Sequence, residues 1–134
     1  MNKRTPFYSL HKKHSAKLVS FSGYEMPIQY KGIGFEHNHV RNSVGIFDVS
    51  HMAQILINGA NAFALIQKIT TNNASKLGDG KIQYSCMLNH NGGIIDDLLV
   101  YRITFDRYML VVNAANAVKD FDWICLNNNF DVEV

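Results

Sequence analysis

The chain has few of the residues on which several protein classes depend. Only two of its 134 residues are cysteines, Cys86 and Cys125, and they form neither a Cys-x-x-Cys pair nor a disulfide framework. The net charge of +2 is too small for a dedicated nucleic-acid-binding protein. No run reaches the roughly 18 consecutive apolar residues that a membrane-spanning helix needs. These absences argue against a disulfide-rich secreted scaffold. They also argue against nucleic acid or a membrane as a partner.

The rest of the composition is typical of a globular protein that buries a core. Hydrophobic residues make up 47% of the chain and charged residues 18%. The length suits one domain, or one domain with part of another. The N-terminus is basic, but no apolar segment follows it, so it is not predicted to be a secretory signal peptide. Together with the sparse cysteines, this favours a reducing, cytosolic compartment.

Basic residues are concentrated near the N-terminus. Residues 1–24 contain no acidic residue and five basic ones, namely Lys3, Arg4, Lys12, Lys13 and Lys17. Such a cluster is either a solvated surface or a docking patch for an acidic partner.

The first 52 residues do not complete a fold of their own. Thr5-Pro6 is typical of a helix N-cap followed by the first helical residue. The predicted elements are a helix over 6–14, a strand over 17–22, a loop over 23–27, a helix over 32–42 and a short strand or extended turn over 47–49. We therefore expect residues 1–52 to be an incomplete part of one domain.

From residue 53 the pattern becomes regular and indicates an α+β fold. It predicts strands over 53–58, 82–88, 94–104 and 108–112, helices over 60–69 and 117–126, and a further strand from 130. Residues 53–134 therefore resemble a ferredoxin-like βαβ unit with an extra hairpin strand. Asn116 is the expected cap of the last helix, whose buried residues are expected to be Val118, Phe121, Ile124 and Cys125. Because the chain ends inside an alternating strand, we interpret it as a piece of a longer protein.

Two adjacent carboxylates, Asp96 and Asp97, follow a glycine-containing hairpin. Successive residues of a strand point to opposite faces, so only one of the two can face the core or a cleft. An aspartate inside an apolar strand is tolerated only with a hydrogen-bonding partner or a functional role. Such an aspartate here is either hydrogen-bonded to the hairpin backbone or a functional carboxylate.

One face of the predicted sheet combines aromatic, amide and carboxylate groups. Asp97, Leu99 and Tyr101 share a face of their strand, and Tyr84 and Asn113 belong to neighbouring strands. A flat heteroaromatic ligand needs such a stacking surface with a few placed polar groups, although half-buried tyrosines are common on sheets.

Two other groups of polar residues do not indicate catalysis. Ser50-His51 lies close to Asp48 without a nucleophile elbow, so a hydrogen-bonding turn is the better interpretation. The histidines lack a third ligand at metal-site spacing and are expected to be solvated or helix-capping: His11, His14, His37 and His39. No metal site is predicted.

Five stretches spread over the whole chain carry a resemblance to a known family: residues 5–8, 21–27, 40–52, 89–97 and 111–116. The Asp-Val-Ser-His-Met run that ends at Met52 and the Gly-Gly-Ile-Ile-Asp-Asp run that ends at Asp97 are specific in combination. The chain resembles the N-terminal third of the T-protein (aminomethyltransferase) family of the glycine cleavage system. Two departures are conservative, with Tyr24 where the family usually has Trp and Ala53 where it usually has Gly.

The resemblance implies a fold and a reaction. Residues 1–52 would be the first piece of a discontinuous folate-binding domain, and 53–134 the ferredoxin-like domain that follows it. The family moves the carbon of an aminomethyl group from the lipoyl arm of the H-protein to tetrahydrofolate, with release of ammonia and without a metal. We expect this piece to be inactive alone.

The resemblance also implies residue roles. Asp97 matches the catalytic carboxylate, and the positions that match the folate site are Met52, Leu56, Tyr84, Asp97, Leu99, Tyr101 and Asn113. The five basic residues near the N-terminus become candidates for docking the H-protein. The motif begins close to the start without a presequence, which favours a bacterial cytoplasm over a mitochondrial matrix.

Two alternatives remain open. The first is a folate-binding relative without this activity, such as an iron–sulfur-assembly paralogue or the folate domain of a dimethylglycine or sarcosine dehydrogenase. The second is a non-catalytic binding module.

Overall fold

The computed structural model describes residues 2–134 as two compact units, of which the N-terminal one ends at His51 and the C-terminal one begins at Met52. The N-terminal unit contains β1 (Lys3–Arg4), α1 (Tyr8–Lys13), β2 (Lys17–Phe21), β3 (Tyr24–Gln29) and α2 (Ile33–Asn42). The C-terminal unit contains β4 (Ala53–Asn58), α3 (Ala62–Ile69), a 3-10 turn (Ala74–Lys76), β5 (Ile82–Leu88), β6 (Ile94–Thr104), β7 (Arg107–Val112) and α4 (Ala117–Asn127). The α+β class is confirmed. The assignment of 1–52 and 53–134 to an incomplete and a complete domain stays a prediction.

The N-terminal unit has a three-stranded sheet in the order β1-β3-β2, and β3 corrects the loop predicted over 23–27. Ser22 and Gly23 both have positive φ angles, of 48° and 81°, which closes a tight antiparallel hairpin between β2 and β3. Pro27 lies inside β3, where it cannot donate a ladder hydrogen bond. It is tolerated because β1 pairs only with Tyr24 and Glu25, and because the β2 ladder is irregular beside it.

The structure also corrects the start of the first helix and decides between the two alternatives for residues 47–49. Helix α1 begins at Tyr8 instead of Pro6, since the first turn is closed by a bond from the Tyr8 amide to the Thr5 carbonyl. Of the short strand or extended turn predicted over 47–49, the strand is not formed. There the Asp48 carboxylate accepts the Ser50 amide proton at 2.9 Å, a local bond that competes with extended pairing.

The C-terminal unit has a four-stranded antiparallel sheet in the order β4-β7-β6-β5. The extra hairpin strand is β7, which lies between β4 and β6. The β5–β6 hairpin turns at Gly92, whose φ of 80° favours glycine, and Asn89 braces it by accepting the amide protons of Asn91 and Gly93. The strand predicted from 130 is reduced to a single bridge between Glu133 and Asn58.

The core of this unit lies on one face of the sheet, where α3 and α4 contribute to it. Alternate residues of the strands are buried there, including Ile57, Leu98, Tyr108 and Leu110. The opposite face carries the other alternate residues. Several of these are exposed, such as Tyr84 at 58% and Leu56 at 40%.

No helix in the described part of the chain is long and apolar enough to cross a membrane.

Candidate functional site

The face of the sheet opposite the core presents a mixed polar and apolar surface. Strand register places Tyr84 of β5 opposite Leu99 of β6, and Leu99 opposite Val111 of β7. One pair further along, Tyr101 lies opposite Met109. This arrangement agrees with the prediction that Asp97, Leu99 and Tyr101 share a face, and it surrounds Leu99 with side chains that a flat ligand could contact.

A hydrogen-bonded carboxylate lies at one end of this face. The Tyr84 hydroxyl donates to Asp97 Oδ2, and this bond is the main reason why the pKa of Tyr84 is raised. From the other side, Asn113 Nδ2 donates to Asp97 Oδ1 and to the Asp97 carbonyl, each at 3.1 Å. The Asp97 side chain is thus held from β5 and from the end of β7, while remaining exposed.

The neighbouring carboxylate, Asp96, points to the other face and is 4% exposed. It accepts the Asn113 amide proton at 3.1 Å, Asn113 Nδ2 at 2.9 Å and Asn116 Nδ2 at 2.7 Å. Burial raises the pKa of Asp96, but hydrogen bonds that include those from Asn113 and Asn116 outweigh it and hold the pKa below its ordinary value. The Asn113 side chain therefore connects the buried Asp96 to the exposed Asp97.

Asn116 occupies the N-cap position of α4, as predicted, but its side chain does not cap the helix. The amide is used for Asp96 instead.

A third carboxyl group, that of Asp120 on α4, is fully buried and was not predicted from the sequence. Burial, together with the Asp96 carboxylate beside it, raises the pKa of Asp120 to about 7. The buried residues of α4 are Asp120, Ile124 and Asn127, so the prediction that Val118, Phe121 and Cys125 are buried is wrong. The spacing of 120, 124 and 127 is itself a helical stripe. That stripe could have been found if polar residues had been allowed on the buried side.

Leu56 and Met52 lie apart from the hydrogen-bonded cluster. Leu56 of β4 is opposite Met109, in the same cross-strand row as Tyr101. Met52 directly precedes β4, whose first residue, Ala53, pairs with Val112. Met52 therefore enters the sheet at the end where Asn113 follows β7. The sheet places all seven predicted folate-site residues on or beside its strands, and hydrogen bonds join Tyr84, Asp97 and Asn113.

Comparison with known proteins identifies the family. The family described as GCVT N-terminal domain matches residues 7–134. The chain belongs to the GCVT N-terminal domain family. It is 53% identical over 132 residues to an aminomethyltransferase of Flavobacterium psychrophilum, covering 98% of this chain and 37% of that protein. It is also 51% identical over 126 residues to an aminomethyltransferase of Caldanaerobacter subterraneus, covering 94% of this chain and 33% of that protein.

A solved structure agrees with this assignment. The glycine cleavage system aminomethyltransferase T from Bartonella henselae is similar with a TM-score of 0.90 and 35% identity, over 99% of this chain and 37% of that one. The resemblance to the aminomethyltransferase family is therefore confirmed. This GCVT domain chain spans about a third of the length of the curated relatives it matches.

The five basic residues near the N-terminus, Lys3, Arg4, Lys12, Lys13 and Lys17, all lie exposed on the N-terminal unit. Lys3 and Arg4 form β1, Lys12 and Lys13 end α1, and Lys17 begins β2. Arg4 donates to Glu25 at 2.8 Å and lies over the Tyr8 ring, so part of its charge is already compensated. The lysines remain the better candidates for contacting an acidic partner.

The histidine predictions hold only in part. His11 is buried instead of solvated, with Nε2 donating to Asp48 at 2.8 Å and Nδ1 bonded to Tyr30 at 2.7 Å. Despite the burial of Asp48, hydrogen bonds that include those from Ser50 and His11 hold its pKa well below the ordinary value. His51 packs edge-on against Phe21 and makes no such bond to Asp48. Among residues 2–134, no group of three or more His, Cys, Asp or Glu side chains could hold a metal ion.

Proposed function

We propose that this chain provides the tetrahydrofolate-binding face of an aminomethyltransferase of the glycine cleavage system. The whole enzyme would transfer the carbon of an aminomethyl group from the lipoyl arm of the H-protein to tetrahydrofolate and release ammonia. One observation carries the proposal. The Asp97 carboxylate is held by Tyr84 and Asn113 on an exposed, half-apolar sheet face, within the residues 7–134 that match the GCVT N-terminal domain family.

The residues on this face suit a reduced pterin. Asp97 presents a carboxylate that can orient the reacting nitrogen of the folate and manage its proton. It can also stabilise the positive charge that develops as ammonia leaves. Leu99 and Tyr101 offer a stacking surface, with Leu56 and Met52 at its margin. Asn113 holds Asp97 in place and so limits how far the carboxylate must reorganise when the ligand arrives.

The proposed partner is the lipoylated H-protein, and the proposed compartment is a bacterial cytoplasm. The four lysines near the N-terminus are exposed and have no acidic partner in hydrogen-bonding range among the described residues: Lys3, Lys12, Lys13 and Lys17. An acidic surface on the H-protein would complement them.

Isothermal titration calorimetry of this chain with tetrahydrofolate tests the proposed binding face. We expect saturable binding that Asp97→Ala weakens by at least about tenfold, because a hydrogen bond to a charged group is lost. Tyr101→Ala should weaken binding as well, through lost stacking area. Asp122→Asn removes an exposed charge from α4 and is the matched control, with unchanged affinity expected. Absence of binding, or equal binding by all four proteins, would contradict the proposed face.

Binding to lipoylated H-protein distinguishes the transferase from a folate-binding relative, which has no reason to recognise it. We expect Lys12→Glu combined with Lys13→Glu to weaken binding and to reduce its dependence on salt concentration. The control is Lys76→Glu with Lys81→Glu, which makes the same change of net charge at two exposed positions of the C-terminal unit. Unchanged affinity in the first variant would remove these lysines from the proposed docking surface.

A further inference from the structure

Two carboxyl groups, those of Asp96 and Asp120, are buried behind the proposed folate face and lie beside the same residue, Asn116. Asn116 Nδ2 donates to Asp96 Oδ1 at 2.7 Å, and the Asp120 amide donates to the Asn116 carbonyl at 2.8 Å. Asp120 is 0% exposed and Asp96 is 4% exposed. Neither oxygen of Asp120 receives an N–H or O–H donor from the described residues. The charged groups that act on Asp120 are Asp96, from β6, and Lys119, its neighbour on α4. The Lys119 ammonium donates to the Ile95 carbonyl at 2.7 Å, so it does not pair with Asp120.

Such a pair is stable only if one of its members is protonated. Two adjacent ionised carboxylates repel each other, and the low dielectric of the interior makes this repulsion strong. Asp96 already accepts three N–H donors, which favours its ionised form. Asp120 receives no donor, so the proton belongs on Asp120, from which it can be donated to Asp96.

We infer that protonated Asp120 is a positioning residue, which donates to Asp96 and thereby fixes Asn113 and the Asp97 carboxylate. The connection runs through named contacts. Asp96 accepts both the backbone and side-chain N–H of Asn113, and the same Asn113 side chain donates to Asp97. This inference rests on the proposed tetrahydrofolate site for its functional consequence, but its structural part concerns the ligand-free chain alone.

The inference predicts a loss of order above neutral pH. When Asp120 loses its proton, the two buried carboxylates repel each other and the bonds to Asn113 weaken. Asp120→Asn keeps a donor toward Asp96 and cannot ionise, so it should preserve the arrangement at every pH. A purely structural role for residue 120 would not make the proposed site depend on pH in this way.

The ligand-free chain tests the structural part by nuclear magnetic resonance. We expect the Asp120 carboxyl carbon to titrate near pH 7 and the Asn113 side-chain amide to shift with the same midpoint. In Asp120→Asn the Asn113 amide should not move over that range. The inference would be overturned if the Asp120 carboxyl titrates near pH 4, or if the chemical shift of the Asn113 side-chain amide does not change as Asp120 titrates.

Tetrahydrofolate titrations at pH 6 and pH 8.5 test the functional part. We expect the native chain and Asp122→Asn to lose about tenfold in affinity between these values, and Asp120→Asn to change less than twofold. If Asp120→Asn loses affinity as the native chain does, the positioning role is wrong. If the native chain binds no folate at either pH, the proposed function fails and the resonance experiment alone decides the state of Asp120.

Discussion

Replacing Asp120 by Asn should remove a specific pH dependence from the stability of the C-terminal unit. The pKa of Asp120 rises from an ordinary value of 3.8 to about 7 in the folded chain. Between these values the folded chain keeps the proton on Asp120, whereas the unfolded chain has released it. Raising the pH therefore favours the unfolded chain, and stability falls until the folded chain also loses the proton.

The size of this effect follows from the pKa difference of about three units. Each unit is worth about 1.4 kcal/mol, so the native chain loses roughly 4 kcal/mol of stability between pH 4 and pH 7 through this group. Asp120→Asn has no such loss. Relative to the native chain it should gain stability progressively across that window, and the difference should stay constant above about pH 7.

Urea denaturation at closely spaced pH values measures this difference. The single tryptophan, Trp123, lies on α4 one turn from Asp120, so its fluorescence reports the unfolding of the unit that contains the pair. The control is Asp122→Asn, which should parallel the native chain at every pH. If Asp120→Asn and the native chain lose stability in parallel from pH 4 to pH 7, Asp120 is ionised in the folded chain and the reasoning is refuted.

Three further predictions concern other parts of the structure. Leu110→Ala should destabilise the C-terminal unit by about 2–5 kcal/mol in urea because Leu110 is fully buried; a loss no larger than that of Leu126→Ala, which changes a side chain that is 70% exposed, would contradict the described core. Gly92→Ala should cost about 1 kcal/mol in the same assay because its φ of 80° strains any residue with a Cβ, and an unchanged unfolding midpoint would argue against this turn. Asp48→Asn should raise amide hydrogen exchange throughout the N-terminal unit by weakening its bond to buried His11, and unchanged exchange there would show that this bond contributes nothing.

The C-terminal unit was predictable because its strands alternate and its turns use ordinary residues. Asn89 and Gly92 identify the β5–β6 hairpin directly. The two carboxylates of Asp96 and Asp97 diverge as period-two alternation requires. Local rules suffice for such features, since each depends only on residues a few positions apart.

The missed features depend on contacts between distant positions. Asp120 looks like an ordinary polar helix residue, and only its proximity to Asp96 shows why it is buried. His11 likewise looks solvated until Asp48 and Tyr30 are brought to it from 37 and 19 positions away. Strand β3 was not predicted because it contains Pro27. That residue is compatible with the strand because β1 is too short to pair with it and because the β2 ladder is irregular beside it. These outcomes are set by tertiary packing, which a single sequence does not reveal.

The order of strands in the C-terminal sheet has a consequence for how the chain folds. Strands β5, β6 and β7 are consecutive and pair as two hairpins, so Tyr84, Asp97 and Asn113 meet after closing short loops. Strand β4 must close a loop of roughly 60 residues before Ala53 reaches Val112, at a greater cost in chain entropy. Strands β5, β6 and β7, with Asp97 on β6, should therefore pair first. Strand β4, which carries Leu56, should pair with β7 late in refolding.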